Sequence, residues 1–131
     1  MYDALNGLTV LVVEDDWLVR ENVADWFREQ GCRVIDAAKG ASAVGLLKDT
    51  KTVHILYTDI SLADAVTGWD VGEAGRMWHP GIAVIYASGG ADDPARRVPG
   101  SIFLPKPVAP LEIKEACSRL MRPISTTAKS P

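Results

Sequence analysis

The chain has 131 residues, of which 47% are apolar and 24% are charged, and its formal net charge is −3. These values are typical of one folded globular domain and exclude extensive disorder. The slight acidity argues against a nucleic-acid-binding surface, and no apolar run is long enough for a membrane span. We therefore expect a cytoplasmic protein that binds neither nucleic acid nor a membrane.

The first half of the chain alternates between short apolar runs and amphipathic segments. Residues 8–13 are almost continuously apolar, which is typical of a strand buried on both faces of a parallel sheet. Residues 18–27 carry apolar side chains at helical spacing, and Gly31 provides a stop signal. The same alternation predicts a second strand at 33–37 and a second helix at 41–47.

The second half continues this alternation. It predicts a third strand at 53–59, a helix at 69–78 and a fourth strand at 82–87. A fifth strand is predicted at 101–104 and a last helix at 111–121. Together these elements predict a single doubly wound α/β domain, a flavodoxin-like (βα)₅ fold whose five parallel strands have the order 2-1-3-4-5.

The segment 88–100, between the fourth and fifth strands, is rich in glycine and proline. Only residues 91–98 can be helical, and Pro94 would have to lie in the first turn. We expect an irregular or shortened fourth helix there. The domain is predicted to span 1–122, and the Ser-, Thr- and Pro-rich residues 123–131 are predicted to form a disordered tail or linker.

Polar residues follow the ends of four predicted strands: Glu14, Asp15, Asp59, Ser88 and Lys106. The carboxyl ends of parallel strands meet at one edge of a sheet, so the acids after the first and third strands should converge. Three carboxylates in one cleft repel each other, and a hard cation such as Mg²⁺ relieves that repulsion. With Mg²⁺ bound, an aspartate can attack phosphorus, while Lys106 and Ser88 can bind phosphoryl oxygens. These are the parts that an aspartyl phosphate needs.

Each of these residues also has an ordinary structural explanation when it is taken alone. Asp59 and Ser88 fit turn positions, and Lys106 fits a solvated surface lysine. Asp16, beside the acids, is favoured as the N-cap of the first helix, and Trp17 is expected to be partly exposed near the site. The joint placement at four strand ends is what favours a phosphoryl-transfer site.

With these residues in place, the sequence resembles the response-regulator receiver domains of two-component signalling. The matching segments are 11–16, 57–60, 86–89 and 104–107, and the resemblance extends over about 8–121. It implies that a histidine kinase or a histidine phosphotransfer protein supplies a phosphoryl group, and that a downstream protein target responds. It also implies a signalling switch with no attached output domain rather than an enzyme.

The resemblance further implies a Mg²⁺ site and a phosphoacceptor. Asp59 would be the phosphoacceptor and would also bind the metal. Asp15 would bind Mg²⁺ directly, and Glu14 would bind it through water. The backbone carbonyl of Ser61 would complete the protein ligands.

Three further residues would respond to the phosphoryl group. Ser88 would be the switch hydroxyl, and Lys106 would contact the phosphoryl group and be joined to Pro107 by a cis peptide bond. Phe103 falls where the family keeps a switch aromatic, although simple core packing explains Phe103 equally well.

The sequence departs from the common family pattern in two segments. Residues 61–68 lack the usual proline after the phosphoacceptor and are about one residue longer. Residues 88–106 are about four residues shorter. The segment Ala87-Ser88-Gly89 is similar to a signature of stand-alone receivers with a reduced fourth helix.

Three other classes of protein are alternatives to a phosphorylated receiver. A haloacid-dehalogenase-like hydrolase needs an acid two residues after its nucleophile, where this chain has Ser61. A flavin-binding domain needs a phosphate loop free of carboxylates after the first strand, where residues 14–16 are all acidic. A pseudo-receiver that acts only as a protein-interaction module remains the alternative.

Overall fold

The structure is a computed structural model, and it describes residues 3–121. In this part of the chain the strands are β1 (Thr9–Val13), β2 (Arg33–Ala37), β3 (Ile55–Asp59), β4 (Ala83–Ser88) and β5 (Ile102–Pro105). The α-helices are α1 (Trp17–Glu29), α2 (Gly40–Asp49), α3 (Gly68–Trp78) and α4 (Pro110–Leu120), and a 3₁₀ turn, Asp3–Leu5, precedes β1. None of the described helices has the length and apolar character needed to cross a membrane. The predicted boundary at residue 122 and the predicted tail lie outside the described residues.

The strands form one parallel sheet in the order β2-β1-β3-β4-β5, so the predicted fold class is confirmed. Val13 at the end of β1 pairs with Ala37 of β2 and with Thr58 of β3. Asp59, at the end of β3, pairs with Ala87 of β4. The last residues of these strands therefore lie together at one edge of the sheet.

Apolar side chains fill both faces of the sheet. Val10 and Val12 of β1 pack with residues of α1 and α4, whereas Leu11 and Val13 pack with residues of α2 and α3. Since successive strand side chains point to opposite faces, this arrangement explains the continuous apolar run of β1. The carboxyl edge carries the buried polar side chains Glu14, Thr58, Asp59 and Ser88.

Side-chain caps fix where two of the helices begin. Asp16 is the N-cap of α1, as predicted, and its Oδ1 accepts hydrogen bonds from the backbone N–H groups of Leu18 (3.0 Å) and Val19 (3.2 Å). Thr67 and Asp70 form a reciprocal capping box at the start of α3. Both caps lie next to the carboxyl edge, so they hold the loops that carry the acidic residues.

The third strand begins at Ile55, two residues later than predicted. Ahead of it, the backbone N–H of Thr9 donates a 2.9 Å hydrogen bond to Nδ1 of His54. The side chain of His54 thus takes a donor that would otherwise serve a strand carbonyl. Val53 is buried without belonging to the sheet, which explains why its apolar character extended the predicted strand.

The connection between β4 and β5 contains turns and bends and no α-helix, which is consistent with the predicted irregular or shortened fourth helix. Its second half is fixed to the domain at two points. The backbone N–H of Val98 donates to Oη of Tyr86 (3.1 Å), and the guanidinium of Arg76 donates to the carbonyl oxygen of Pro99. Apart from a single turn, in which the backbone N–H groups of Arg96 and Arg97 donate to the carbonyl of Asp93, the connection is irregular.

Candidate functional site

Glu14 directly follows β1, and its side chain is 1% exposed. Its Oε2 accepts a 3.2 Å hydrogen bond from the backbone N–H of Asp16. Its backbone carbonyl accepts a 2.8 Å hydrogen bond from Arg20 of α1, whose Nε also lies 3.8 Å from Oδ2 of Asp36. Asp15, which lies between Glu14 and Asp16 in the sequence, is exposed. The turn after β1 thus presents one buried and one exposed carboxylate.

Asp59 is the last residue of β3 and is 5% exposed. Its backbone carbonyl accepts a 2.8 Å hydrogen bond from the hydroxyl of Thr58. The first residue of α3, Gly68, packs against the same carbonyl: a Cβ at this position would lie 2.1 Å from the oxygen. Glycine is therefore required here, because any side chain would push α3 away from the end of β3.

The three acids converge, as the sequence predicted. Glu14, Asp15 and Asp59 each offer a carboxylate oxygen within 4.8 Å of the other two. Mg²⁺ binds oxygen ligands at about 2.0–2.1 Å in octahedral geometry, so ligands on opposite sides of the ion are about 4.2 Å apart. The donor set, which consists of carboxylate oxygens close enough together to reach one ion, fits Mg²⁺.

Lys106 follows β5, and its ammonium group contacts two of these acids. Its Nζ lies 2.7 Å from Oε1 of Glu14 and 3.2 Å from Oδ2 of Asp59. The peptide bond between Lys106 and Pro107 is cis, in agreement with the resemblance. Lys106 thus supplies the positive charge that faces the buried carboxylates.

Burial and charge oppose each other in this cluster. Burial raises the pKa of Glu14 to about 7, the negative charge of Asp59 adds to this effect, and the hydrogen bond from Lys106 works against it. Burial lowers the pKa of Lys106, but its hydrogen bond to Glu14 and the charge of Asp59 outweigh burial, so the pKa is raised. Lys106 therefore stays positively charged while Glu14 is poised to bind or release a proton near neutral pH.

Ser88 is the last residue of β4, and Phe103 belongs to the neighbouring strand β5. The Oγ of Ser88 is buried and accepts a 2.9 Å hydrogen bond from the backbone N–H of Gly90. Phe103 is half-buried and stacks on Trp69 of α3, with ring centroids 6.3 Å apart and planes at 15°. The rings of Trp69 and Tyr86 are also in contact, with their centroids 4.9 Å apart. The aromatic rings fill the sheet face beneath the β4–β5 connection.

The remaining predicted residue, Ser61, is exposed in the loop that joins β3 to α3. Two residues that shape the site were not predicted. Arg20 binds the backbone carbonyl after β1, and Asp64 accepts hydrogen bonds from the backbone N–H groups of Gly40 and Ala41. A basic residue one turn into α1 was a usable signal for Arg20, whereas the partners of Asp64 lie more than twenty positions away in the sequence.

Sheets of this order carry many functions, and the acids and lysine at the edge narrow the class to receiver domains of two-component signalling. The chain belongs to this family, because the family model described as the response regulator receiver domain matches residues 10–118. Receiver domains are signalling modules of two-component and phosphorelay systems, and they bind Mg²⁺ in an acidic pocket. The cluster of Glu14, Asp15 and Asp59 forms the corresponding pocket here.

Solved structures agree with this assignment. A response regulator receiver protein from Sinorhizobium medicae WSM419 superposes with a TM-score of 0.83 at 28% identity, covering 89% of this chain and 96% of that one. The receiver domain of the hybrid histidine kinase CckA superposes with a TM-score of 0.75 at 25% identity, covering 87% of this chain and 99% of that one.

A curated relative leads to the same group of receivers. The sensor kinase CckA of Brucella abortus (strain 2308) is 33% identical over 110 residues, which is 80% of this chain. The match spans 12% of the length of that kinase. The similarity therefore concerns a receiver domain and not the kinase as a whole.

Proposed function

We propose that this receiver accepts a phosphoryl group on Asp59 in a reaction that depends on Mg²⁺. The single observation that carries the proposal is the position of the Lys106 ammonium, 3.2 Å from Oδ2 of Asp59 within the acidic cluster. A cation that already touches the acceptor carboxylate is placed to bind a phosphoryl oxygen after transfer. The phosphoryl donor is a histidine kinase or a histidine phosphotransfer protein.

The proposed transfer exchanges one bond to phosphorus for another. A carboxylate oxygen of Asp59 attacks the phosphorus of a phosphohistidine, and the P–N bond breaks. The imidazole nitrogen leaves with the electron pair of that bond, and Asp59 becomes an acyl phosphate. Catalysis of this kind depends on positioning and on charge, because the protein has little covalent chemistry of its own to perform.

The proposed protein ligands of the metal lie in the segments that follow β1 and β3. Asp15, Asp59 and the backbone carbonyl of Ser61 would hold Mg²⁺ directly, and Glu14 would contact it through water. When bound, Mg²⁺ neutralises the carboxylates and the incoming phosphoryl group. The exposure of Asp15 supports this role, since it gives the ion access from solvent.

Phosphorylation would then act on Ser88 and on the aromatic rings next to it. The modification adds nearly two negative charges and three acceptor oxygens. Ser88 accepts in its bond with Gly90, so its own hydroxyl proton can be donated to a phosphoryl oxygen. Because β4 pairs with β5, a shift of Ser88 would reach Phe103 and its stack on Trp69.

A groove beside the site supports a partner that delivers the phosphoryl group. It runs between α1 and the start of α4 and is lined by Val19, Asn22, Val23, Lys106, Pro107 and Val108. The apolar side chains of Trp17, Leu18 and Leu111 are exposed on the same two helices. Because Lys106 lines the groove and also touches Asp59, a domain that brings a phosphohistidine to Asp59 must lie over this groove.

The free thiols of both cysteines support the reducing cytoplasm as the compartment in which the phosphoryl transfer takes place. Cys32 and Cys117 are buried free thiols. Burial raises the pKa of Cys117 to about 12 and also raises that of Cys32. The thiols are therefore unreactive core side chains, as is usual in reducing compartments.

Intact mass spectrometry after incubation with acetyl phosphate tests the acceptor. We expect one phosphoryl adduct in wild type, which requires Mg²⁺ and is absent from Asp59→Asn. Asp93→Asn, in the exposed β4–β5 connection, is the matched control and should keep the adduct. An adduct that persists in Asp59→Asn would place the acceptor elsewhere, and no adduct in wild type would favour the pseudo-receiver.

A second experiment distinguishes weaker docking of the partner protein from damage to the phosphorylation site. Leu18→Asp places a charge on an exposed position of α1, next to Val19, which lines the groove. We expect slower transfer from a phosphorylated histidine phosphotransfer protein and an unchanged rate with acetyl phosphate. Equal effects on both donors would mean that the substitution damages the site and not the docking surface.

A further inference from the structure

The β3–α3 loop, residues 60–67, carries Ser61 and contains no proline. Its two ends are fixed by the fold. At the start, the backbone N–H of Ile60 donates to the carbonyl of Ala87 (3.2 Å), and at the end Thr67 belongs to the capping box of α3. The carbonyl of Ile60 also accepts a 2.8 Å hydrogen bond from the backbone N–H of Gly68, which closes the loop at its base. The residues from Ser61 onward need a separate anchor if the carbonyl of Ser61 is to have one position.

Asp64 provides that anchor by capping a helix far away in the sequence. Its Oδ1 accepts a 2.9 Å hydrogen bond from the backbone N–H of Gly40, and its Oδ2 accepts one of the same length from Ala41. These are the first two residues of α2, whose own N-cap residue, Lys39, makes no side-chain cap. A lysine cannot accept a hydrogen bond, so the carboxylate of Asp64 satisfies donors that α2 leaves open.

A second contact joins the same loop to α2. A Cβ at Gly40 would lie 2.3 Å from the backbone oxygen of Val66 and 2.8 Å from its Cβ. The loop backbone therefore rests directly on the first residue of α2, and only glycine permits this approach. The cap by Asp64 and the contact at Gly40 are independent of each other and fix the same segment.

The charge of Asp64 agrees with this arrangement. The hydrogen bond from Ala41 lowers the pKa of the carboxyl group most, and the bond from Gly40 adds to it. The positive end of a helix also favours a carboxylate at this position. Asp64 is thus held as an anion by α2 and is not one of the three acids that converge on the metal site.

We propose that Asp64 is a positioning residue for Mg²⁺: by capping α2, it holds the β3–α3 loop so that the carbonyl of Ser61 faces the acidic cluster. This inference rests on the proposed function, because it assumes that Mg²⁺ binds at that cluster. The loop has no proline to restrict its backbone, so the helix cap supplies that restraint. Residues that orient metal ligands typically change metal affinity about 10-fold to 100-fold when they are replaced.

The test measures the Mg²⁺ dissociation constant by tryptophan fluorescence, since Trp17 is 64% exposed beside the acids. Asp64→Ala removes both the cap and its charge. Gly40→Ala keeps the charge of Asp64 but pushes Val66 off α2. We expect both variants to bind Mg²⁺ about 10-fold more weakly than wild type, at the lower end of that range.

Two matched controls accompany these variants. Gly45→Ala makes the same change on the same helix, at a position where a Cβ meets no atom within 4 Å. Glu112→Ala removes an acid that accepts a 2.8 Å hydrogen bond from the backbone N–H of Ala109 at the start of α4. Both controls should bind Mg²⁺ within twofold of wild type.

The Mg²⁺ titrations are repeated in about 0.5 M KCl, where the Debye length falls well below 10 Å. At this salt concentration, removing the charge of Asp64 has little long-range electrostatic effect on the metal site. If Asp64→Ala and Asp64→Asn weaken binding equally while Gly40→Ala binds as wild type, the effect is one of charge and the positioning role is wrong. Wild-type affinity in both Asp64→Ala and Gly40→Ala would overturn it as well.

Two further measurements separate this inference from the proposed function. If wild type binds no Mg²⁺, or if Asp15→Asn binds it as well as wild type, the metal site itself is wrong and the inference falls with it. Hydrogen exchange without metal supplies an independent readout. The amides of Gly40 and Ala41 should exchange at least 10-fold faster in Asp64→Ala, and unchanged exchange would show that the cap does not hold the loop.

Discussion

The hydroxyl oxygen of Tyr86 accepts a 3.1 Å hydrogen bond from the backbone N–H of Val98. Tyr86 belongs to β4 and is fully buried, whereas Val98 belongs to the irregular connection that replaces the fourth helix. In a helix, the amide would be satisfied by a backbone carbonyl one turn away. Here the side chain of Tyr86 accepts the hydrogen bond instead, and this contact holds the connection against the sheet.

Tyr86→Phe is expected to loosen this connection without unfolding the domain. A buried N–H that loses its acceptor costs about 1–3 kcal/mol. Hydrogen exchange should therefore be faster at the amides of Val98 and its neighbours, while the amides of β1 keep their protection. Uniformly faster exchange would contradict this expectation, because it would mean that Tyr86 stabilises the whole domain and not the connection.

Gly72 of α3 packs against the same hydroxyl group. A Cβ at this position would lie 2.2 Å from Oη of Tyr86 and 2.9 Å from two of its ring carbons. Overpacking of this kind typically costs about 1–3 kcal/mol, so Gly72→Ala should lower the free energy of unfolding by that amount. Urea denaturation measures the change. A fully stable Gly72→Ala variant would mean that α3 and β4 can separate without loss.

Gly45→Ala is the matched control for that substitution. It also adds one methyl group inside a helix, but no atom lies within 4 Å of the new Cβ. Alanine has the higher helix propensity, so this variant should gain about 0.5–1 kcal/mol. Opposite signs for the two glycines are the expected result.

Much of the fold could be predicted, because buried parallel strands read as continuous apolar runs and their carboxyl ends share one edge. This reasoning predicts that Glu14, Asp15 and Asp59 converge, and in the structure they do. It failed at the start of β3, where the His54 ring takes the Thr9 donor, because a side-chain acceptor has no periodic signal.

The role of Asp64 could not be predicted from the sequence, for a different reason. Asp64 caps α2 across 24 positions. Local patterns describe neighbours within a few residues, whereas this contact depends on how whole elements are arranged. The spacing of Asp64 shows no sign of a helix cap, because its own surroundings are a loop.

Glu14 makes the stability of the metal-free protein depend on pH. Its pKa is raised from 4.5 to about 7 in the folded state, so the folded protein binds more protons than the unfolded chain between these values. The free energy of unfolding should therefore fall as pH rises from 5 to 8, by on the order of 2 kcal/mol from this group. Thermal and urea denaturation in EDTA measure the trend.

Glu14→Gln is the control for that pH dependence. Glutamine keeps the size of the side chain and cannot titrate, so the slope between pH 5 and 8 should become smaller. A wild-type protein that gains stability over this range would show that the ion pair with Lys106 outweighs burial. The pKa of Glu14 would then lie below its ordinary value.

Lys106→Met tests whether lysine and Mg²⁺ neutralise the same carboxylates. Without metal, the substitution leaves Glu14 and Asp59 facing each other without a cation, and breaking a buried ion pair costs about 3–5 kcal/mol. Lys106 is partly exposed, so a loss near the lower end is expected in EDTA at pH 8. Saturating Mg²⁺ should recover most of it, since acids that no longer face Lys106 bind Mg²⁺ more tightly than in wild type, and a ligand bound to the folded state adds stability according to its affinity.

Lys48→Met, which removes an exposed lysine 5.9 Å from the ring of Trp78, is the control and should change little in either condition. The same loss with and without Mg²⁺ would show that the two cations do not share a site, and the arrangement proposed for the phosphoryl group would lose its main support.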